Sequence, residues 1–272
     1  GYDSADGVSV DNAGDLRVVG TFEGGSTQGA QFGSSSFQAT GSPDIYVSKI
    51  SSTGSWVWTK TAGAPSGMIL PWGGIDTEGT DSYVGGLFSG TANFASQSIT
   101  SAAQSNNLFI AKIDGSGAWQ WAKASNSTGL NYIGSIDASS SGIAFAGGYT
   151  SATQSSSTST ITIGSDTLTG DYSEIFAGVI DSSGSWLWAK GGGSAGDDGY
   201  YNYGQPGVGW SPAGDVIASG HICQGMGSAC TATFGSNQVT VTPGAWSTQV
   251  GLPPSVVVWK QASDADGDGI GD

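Results

Sequence analysis

The stretch GSWVWTK at residues 54–60 is written again as GAWQWAK at 117–123 and as GSWLWAK at 184–190. The second tryptophans, Trp58, Trp121 and Trp188, stand 63 and 67 residues apart. A weaker copy, SVVVWKQA at 255–262, puts Trp259 another 71 residues on. A period in the sixties that recurs four times marks an internal repeat, and the rest of the chain is read by it.

Outward from these copies, each unit has the same pieces. A short strand comes first: GVSVD at 7–11, GGIDT at 73–77, GSIDA at 134–138 and GVGWS at 207–211. A polar turn leads to a second strand: LRVVGTF at 16–22, SYVGGLF at 82–88, IAFAGGYT at 143–150 and VIASGHI at 216–222. A hairpin-like piece follows, such as AQFGSSSFQATG at 30–41 or ATFGSNQVTVTPG at 232–244. Next is another strand: DIYVSKI at 44–50, LFIAKI at 108–113, EIFAGVI at 174–180 and STQVGL at 247–252. A tight turn then enters the tryptophan strand. β-Branched and aromatic residues bounded by Gly, Asp and Ser turns are strand signals. No segment sustains a helical period.

The chain is therefore expected to be all-β. A four-stranded sheet with an inserted hairpin cannot bury both faces alone, and radial stacking covers them. The expectation is a β-propeller of four repeats, either a four-bladed ring or part of a larger one. The repeats run approximately over 7–63, 70–125, 132–193 and 204–262, leaving 263–272 as an acidic tail. No strand is held over from the last repeat to complete the first, so a ring closes by packing alone, or its edges meet another chain.

Strict alternation puts Trp56 and Trp58 on one face of the outermost strand, with Lys60 continuing the row. Trp119, Trp121, Trp186 and Trp188 follow suit. A column repeated in every unit reads as packing between sheets rather than as a ladder for sugars.

The pattern Gly-x-Phe, Phe-Gly-Ser, Asp-x-Tyr-Val-x-Lys-Ile and Gly-x-Trp-x-Trp-x-Lys resembles the SBBP-type β-propeller repeats of secreted bacterial and archaeal proteins. VVGTFEG, QFGSSSF and DIYVSKISSTGSWVWTK carry it in the first unit, and VGGLFSG, NFASQSI and LFIAKIDGSGAWQWAK in the second. The resemblance covers nearly the whole chain. It implies the propeller fold and assigns no catalytic residue. The fourth unit departs most, with Pro253-Pro254 and a cysteine loop. The tail DADGDGIGD at 264–272 resembles the Asp-rich calcium loops of thrombospondin type 3 repeats. That resemblance makes Asp264, Asp266, Asp268, Ile270 and Asp272 candidate Ca²⁺ ligands, since hard cations take several oxygens at such spacing. The alternative is an acidic linker.

Composition narrows function. Lys and Arg number 7 against 22 Asp and Glu, for a net charge of −15 over 272 residues. Such a surface cannot replace phosphate counterions, so neither nucleic acid nor an anionic membrane is an expected partner. No apolar stretch reaches the ~20 residues that cross a bilayer. The start at Gly1 without Met reads as a processed or trimmed chain. Cys223 and Cys230 are expected to close a small disulfide ring, with a free thiol pair or a metal as the alternatives. A disulfide places the chain in an oxidising compartment, outside the cell or on its surface. Asn126-Ser127-Thr128 is a glycosylation sequon.

One histidine, His221, and no nucleophile elbow leave little for catalysis, although paired carboxylates stay open as glycosidase groups. Asp11, Asp15, Asp114 and Asp181 read as turn caps. The long connections hold the candidate ligand-binding residues: Trp72, Tyr132, Tyr200, Tyr201, Tyr203, Asp197 and Asp198. Aromatic rings beside carboxylates on a rigid scaffold suit a glycan or a protein partner. The expected function is non-catalytic recognition or adhesion. A self-assembling surface protein, a filament, sheath or layer component, is the alternative.

Overall fold

Each unit folds into strands in the same order, because each presents the same alternation of β-formers and Gly/Asp/Ser turns. The structure, a computed structural model, describes residues 3–23, 29–41, 43–102, 105–150, 158–170, 173–194, 206–222, 230–234, 237–241 and 255–261. The first unit holds β1 (Gly7–Val10), β2 (Leu16–Phe22), a hairpin of β3 (Ala30–Phe32) and β4 (Ser35–Phe37), β5 (Asp44–Ile50) and β6 (Trp56–Ala62). The second holds β7 (Ile69–Glu78), β8 (Asp81–Phe88), the hairpin β9 (Thr91–Phe94) and β10 (Gln97–Thr100), β11 (Asn107–Ile113) and β12 (Trp119–Ala124). A short β13 (Asn126–Ser127) precedes the third: β14 (Leu130–Ser139), β15 (Gly142–Thr150), the hairpin β16 (Ser159–Ile163) and β17 (Asp166–Gly170), β18 (Ser173–Ile180) and β19 (Trp186–Gly193). The fourth holds β20 (Gly207–Trp210), β21 (Val216–Ile222), the hairpin β22 (Cys230–Phe234) and β23 (Asn237–Val241), and β24 (Ser255–Gln261). Among the described residues there is no helix, and so none long and apolar enough to cross a membrane.

The first three sheets are antiparallel meanders in the orders β1-β2-β5-β6, β7-β8-β11-β12 and β14-β15-β18-β19, the third running on into β22-β23; the fourth reads β20-β21-β24. Each has a leading face toward the preceding unit and a trailing face toward the next. Val19, Ile45 and Val47 on the trailing face of the first sheet pack against Val84, Phe88 and Phe109 on the leading face of the second. Leu108 and Ile110 of the second meet Ile133, Phe145 and Phe176 of the third. Smaller residues, Ala144, Ala146 and Ala177, meet Val216 and Ala218 of the fourth. Fully burying each large apolar side chain contributes roughly 2–3 kcal/mol. The main contacts run from first sheet to second, to third, to fourth, and no closed ring forms among the described residues.

Each hairpin covers the leading face of its own sheet. The Phe94 ring lies 5.6 Å from Phe109 and 5.1 Å from Trp119. Phe32 lies 4.3 Å from Tyr46 and 6.2 Å from Trp56. The hairpin also bonds the end of the preceding unit's last strand: Gly63 pairs with Asn93, Asn126 with Thr162, and Gly193 with Thr233. The strand residues of these bridges, Gly63, Asn126 and Gly193, sit three residues beyond Lys60, Lys123 and Lys190.

Two readings of the tryptophan strand are corrected. Trp56 and Trp58 do not share a face. A β-bulge sets Trp56 opposite Ile50 and Trp58 opposite Lys49, so Val57 is the extra residue and the two rings point to opposite sides. The same shift recurs at Trp119/Trp121 and Trp186/Trp188. The first ring packs on its own hairpin. The second reaches the next unit's tight turn: Trp58 Nε1 donates to the Gly115 carbonyl at 3.1 Å, and Trp121 Nε1 to the Ser182 carbonyl at 3.1 Å.

The second correction concerns the fourth copy. SVVVWKQ pairs directly with β21, Val216 opposite Gln261 and Ile222 opposite Ser255. This is the register of β5 on β2, Leu16 opposite Ile50 and Phe22 opposite Asp44. The segment is the third strand of its sheet, not a tryptophan strand. STQVGL, expected in that place, lies outside the described residues, as does whatever follows Gln261.

Candidate functional site

The turn aspartates are caps, as their type and spacing demand. Asp11 Oδ1 accepts the amides of Ala13 and Asp15, each at 2.9 Å. Asp114 accepts from Ser116 and Ala118, and Asp181 from Ser183 and Ser185. Burial pushes the Asp114 and Asp181 carboxyls up, but these hydrogen bonds outweigh it and hold both below the usual carboxylate range. Asp15 Oδ1 accepts the Ser52 amide at 2.9 Å, joining the two tight turns of one sheet at one end of the molecule.

Two of the candidate aromatics come together. Trp72 sits on β7 where the pairing with β8 shifts between Leu70 and Gly74, and Tyr132 sits on β14 just before the similar shift at Ile133/Ser135. Their centroids are 6.3 Å apart at 73°. Both belong to strands rather than to open connections. Tyr132 is only 6% exposed, and burial pushes its phenol well above the ordinary range. The pair packs β7 against β14. Tyr200, Tyr201, Tyr203, Asp197 and Asp198 lie outside the described residues. So do the tail positions Asp264, Asp266, Asp268, Ile270 and Asp272, and the Cys223–Cys230 pairing.

Two carboxylates lie on those same two strands. Asp76 on β7 accepts the Ser9 hydroxyl at 2.9 Å from the unit before and the Ala138 amide at 2.7 Å from the unit after. Asp137, its counterpart on β14, accepts the Trp210 amide at 2.6 Å. Burial, then the nearby Asp76 charge, raises the Asp137 carboxyl above the usual range, against the lowering effect of the Trp210 bond. Each carboxylate ties one sheet to the next. Ile-Asp recurs at 75–76 and 136–137, and that recurrence is the signal by which the sequence could have revealed them.

An open hollow lies between the hairpins of the third and fourth units. The Gly193–Thr233 bridge holds β22 beside β19 and leaves a groove of about 440 Å³ lined by Thr158, Thr169, Glu174, Ser194, Thr231 and Thr233. It continues into a hollow of about 400 Å³ bordered by Tyr149 and Leu168. Glu174, the second residue of β18, holds the register place of Asp44 in the first sheet, where Asp44 caps the Thr40 and Gly41 amides at 2.6 and 3.0 Å. Glu174 itself is 5% exposed. Side-chain hydroxyls on adjacent strands around one carboxylate can exchange hydrogen bonds with a polyol. Nothing in the sequence singled these threonines out, because alternate Ser and Thr on a hairpin are ordinary solvent-facing residues. No family model and no curated protein matches the chain.

Proposed function

We propose that the four sheets are blades of a β-propeller, and that the chain is a non-catalytic recognition module at the cell surface or outside the cell. Its ligand is a neutral glycan held in the groove between the third and fourth hairpins. The observation that carries this is the hydroxyl-lined groove around Glu174, set on stacked sheets that keep it in shape. A net charge of −15 favours a neutral or cationic ligand over an acidic one. The cysteine spacing and the low content of charged residues support an extracellular setting.

The test is a titration with neutral oligosaccharides followed by amide chemical shifts. Perturbations should cluster at Thr169, Thr231 and Thr233. Replacing Thr169 and Thr233 together by Val removes two exposed hydroxyls at little structural cost and should weaken binding by roughly tenfold or more. Binding that ignores the double substitution would overturn the groove assignment. No saccharide binding at millimolar concentration would overturn the glycan.

A further inference from the structure

The first unit carries three fittings that the later units use and it does not. The first is apolar. Val8 on β1 holds the place of Ile75 on β7 and Ile136 on β14, as its pairing with Val18 shows beside Ile75–Val84 and Ile136–Phe145. Ile75 and Ile136 are 7% and 9% exposed under the preceding sheet, whereas Val8 is 62% exposed and Val10 56%.

The second is a tryptophan seat. Ser51–Gly54 is the same tight turn as Asp114–Gly117 and Asp181–Gly184, with φ of 85°, 86° and 87° at the three glycines. A Cβ on Gly117 or Gly184 would meet the ring of Trp58 or Trp121 at 3.0 Å. A Cβ on Gly54 would meet nothing within 4 Å. The Ser52 carbonyl stands where those of Gly115 and Ser182 accept an indole N–H.

The third is a strand edge. Gln31 holds the place of Asn93, Thr162 and Thr233, each bridged to the preceding unit's last strand. Among the described residues β3 pairs with β4 alone.

We propose that the leading side of the first unit is a docking site for a further repeat of this type, one whose outermost strand reads Trp-x-Trp-x-Lys. The argument is continuity. Three junctions in the chain already join by the same face, and two of them by the indole-to-carbonyl bond. The occupant puts its second tryptophan over Gly54, bonds Ser52 through the indole, and pairs with Gln31 three residues after its lysine. The three tryptophan strands present, β6, β12 and β19, are each followed by their own next unit. The occupant is therefore a further unit built of the same repeat. The contact is head-to-tail, so it lengthens or closes a stack of sheets rather than making a two-fold dimer.

The test supplies the occupant at high effective concentration. A copy of residues 130–202 placed directly ahead of Asp3 brings a third unit, with its own Trp186 and Trp188, to the first at the natural connection length. Exchange of the Gln31 amide should slow by roughly tenfold or more relative to the 272-residue chain. Trp188→Ala in the added copy should abolish that protection. Val8→Lys should leave the 272-residue chain's melting temperature essentially unchanged, as for an exposed site, yet lower protection in the fusion. Unchanged exchange at Gln31, or protection that survives Trp188→Ala, would overturn the proposal. A large loss of stability from Val8→Lys in the 272-residue chain would do the same, because it would show the face to be covered already.

Discussion

Arg17 shows how one residue can tie a junction. Its side chain is 0% exposed, its Nη2 lies 3.1 Å from Asp11 Oδ2, and its guanidinium sits 5.5 Å from the centre of the Trp58 ring. A second bond runs to the Thr80 carbonyl of the next unit at 3.4 Å. Nε and Nη1 are buried with no hydrogen-bond partner, so much of the cation's lost hydration is offset by one carboxylate and one aromatic face. A buried charge that loses its only full counter-charge is far more costly than one that is removed. Asp11→Ala should therefore destabilise the chain by about 3–5 kcal/mol, since it strands Arg17 and also strips the amides of Ala13 and Asp15 of their cap. Arg17→Met should cost much less, within about 1–2 kcal/mol, because Met fills the volume and leaves Asp11 with its amides and Lys49 at 3.8 Å. Urea unfolding of the two variants side by side checks the order.

At the level of the element, the tight turn before each tryptophan strand does one job in isolation and another at a junction. All three glycines need positive φ, where a Cβ costs about 1 kcal/mol or more. Gly117 and Gly184 also lie under a neighbouring indole, and Gly54 does not. Gly117→Ala and Gly184→Ala should each cost about 1–2 kcal/mol more than Gly54→Ala, read as shifts in melting temperature. Equal costs would mean the indole yields freely.

The repeat, the hairpin and the strand order were all legible in the spacing of Gly-x-Trp-x-Trp-x-Lys, because period-2 runs and Gly turns act locally. The bulge was not, since a single extra residue, Val57, breaks the alternation without changing the pattern of residue types. Trp259 misled for a related reason. One tryptophan imitated the outermost strand, although Val256-Val257-Val258 followed by Lys260 matches the Ile-Tyr-Val-x-Lys run of β5 better. The groove and the carboxylates that bridge the sheets depend on which units meet, and spacing within a unit carries no record of that.

At the scale of the whole molecule, carboxylates within turns and carboxylates between sheets respond to pH in opposite senses. The turn caps Asp114 and Asp181 ionise more readily in the folded chain than the ordinary 3.8. Their contribution is present above that value and is lost as pH falls through the lower folded-state range. Asp137 is raised above 3.8 by burial and by Asp76. It favours folding while protonated, and that contribution is lost as pH rises from about 4 through its folded-state value. At neutral pH the charged Asp137 works against the third junction while its oxygen still accepts the Trp210 amide. Asp137→Asn keeps an acceptor and removes the repulsion. The variant should melt higher than the natural chain at pH 7, by a modest amount because solvent screens this half-exposed site, and the gain should vanish as pH falls to 4. Asp114→Asn and Asp181→Asn should behave in the reverse sense, melting lower at pH 7 and approaching the natural chain below pH 4. Melting temperatures of the three variants from pH 3 to 8 decide this. A pH-independent effect of Asp137→Asn would show that its bond to Trp210, rather than its charge, governs the junction.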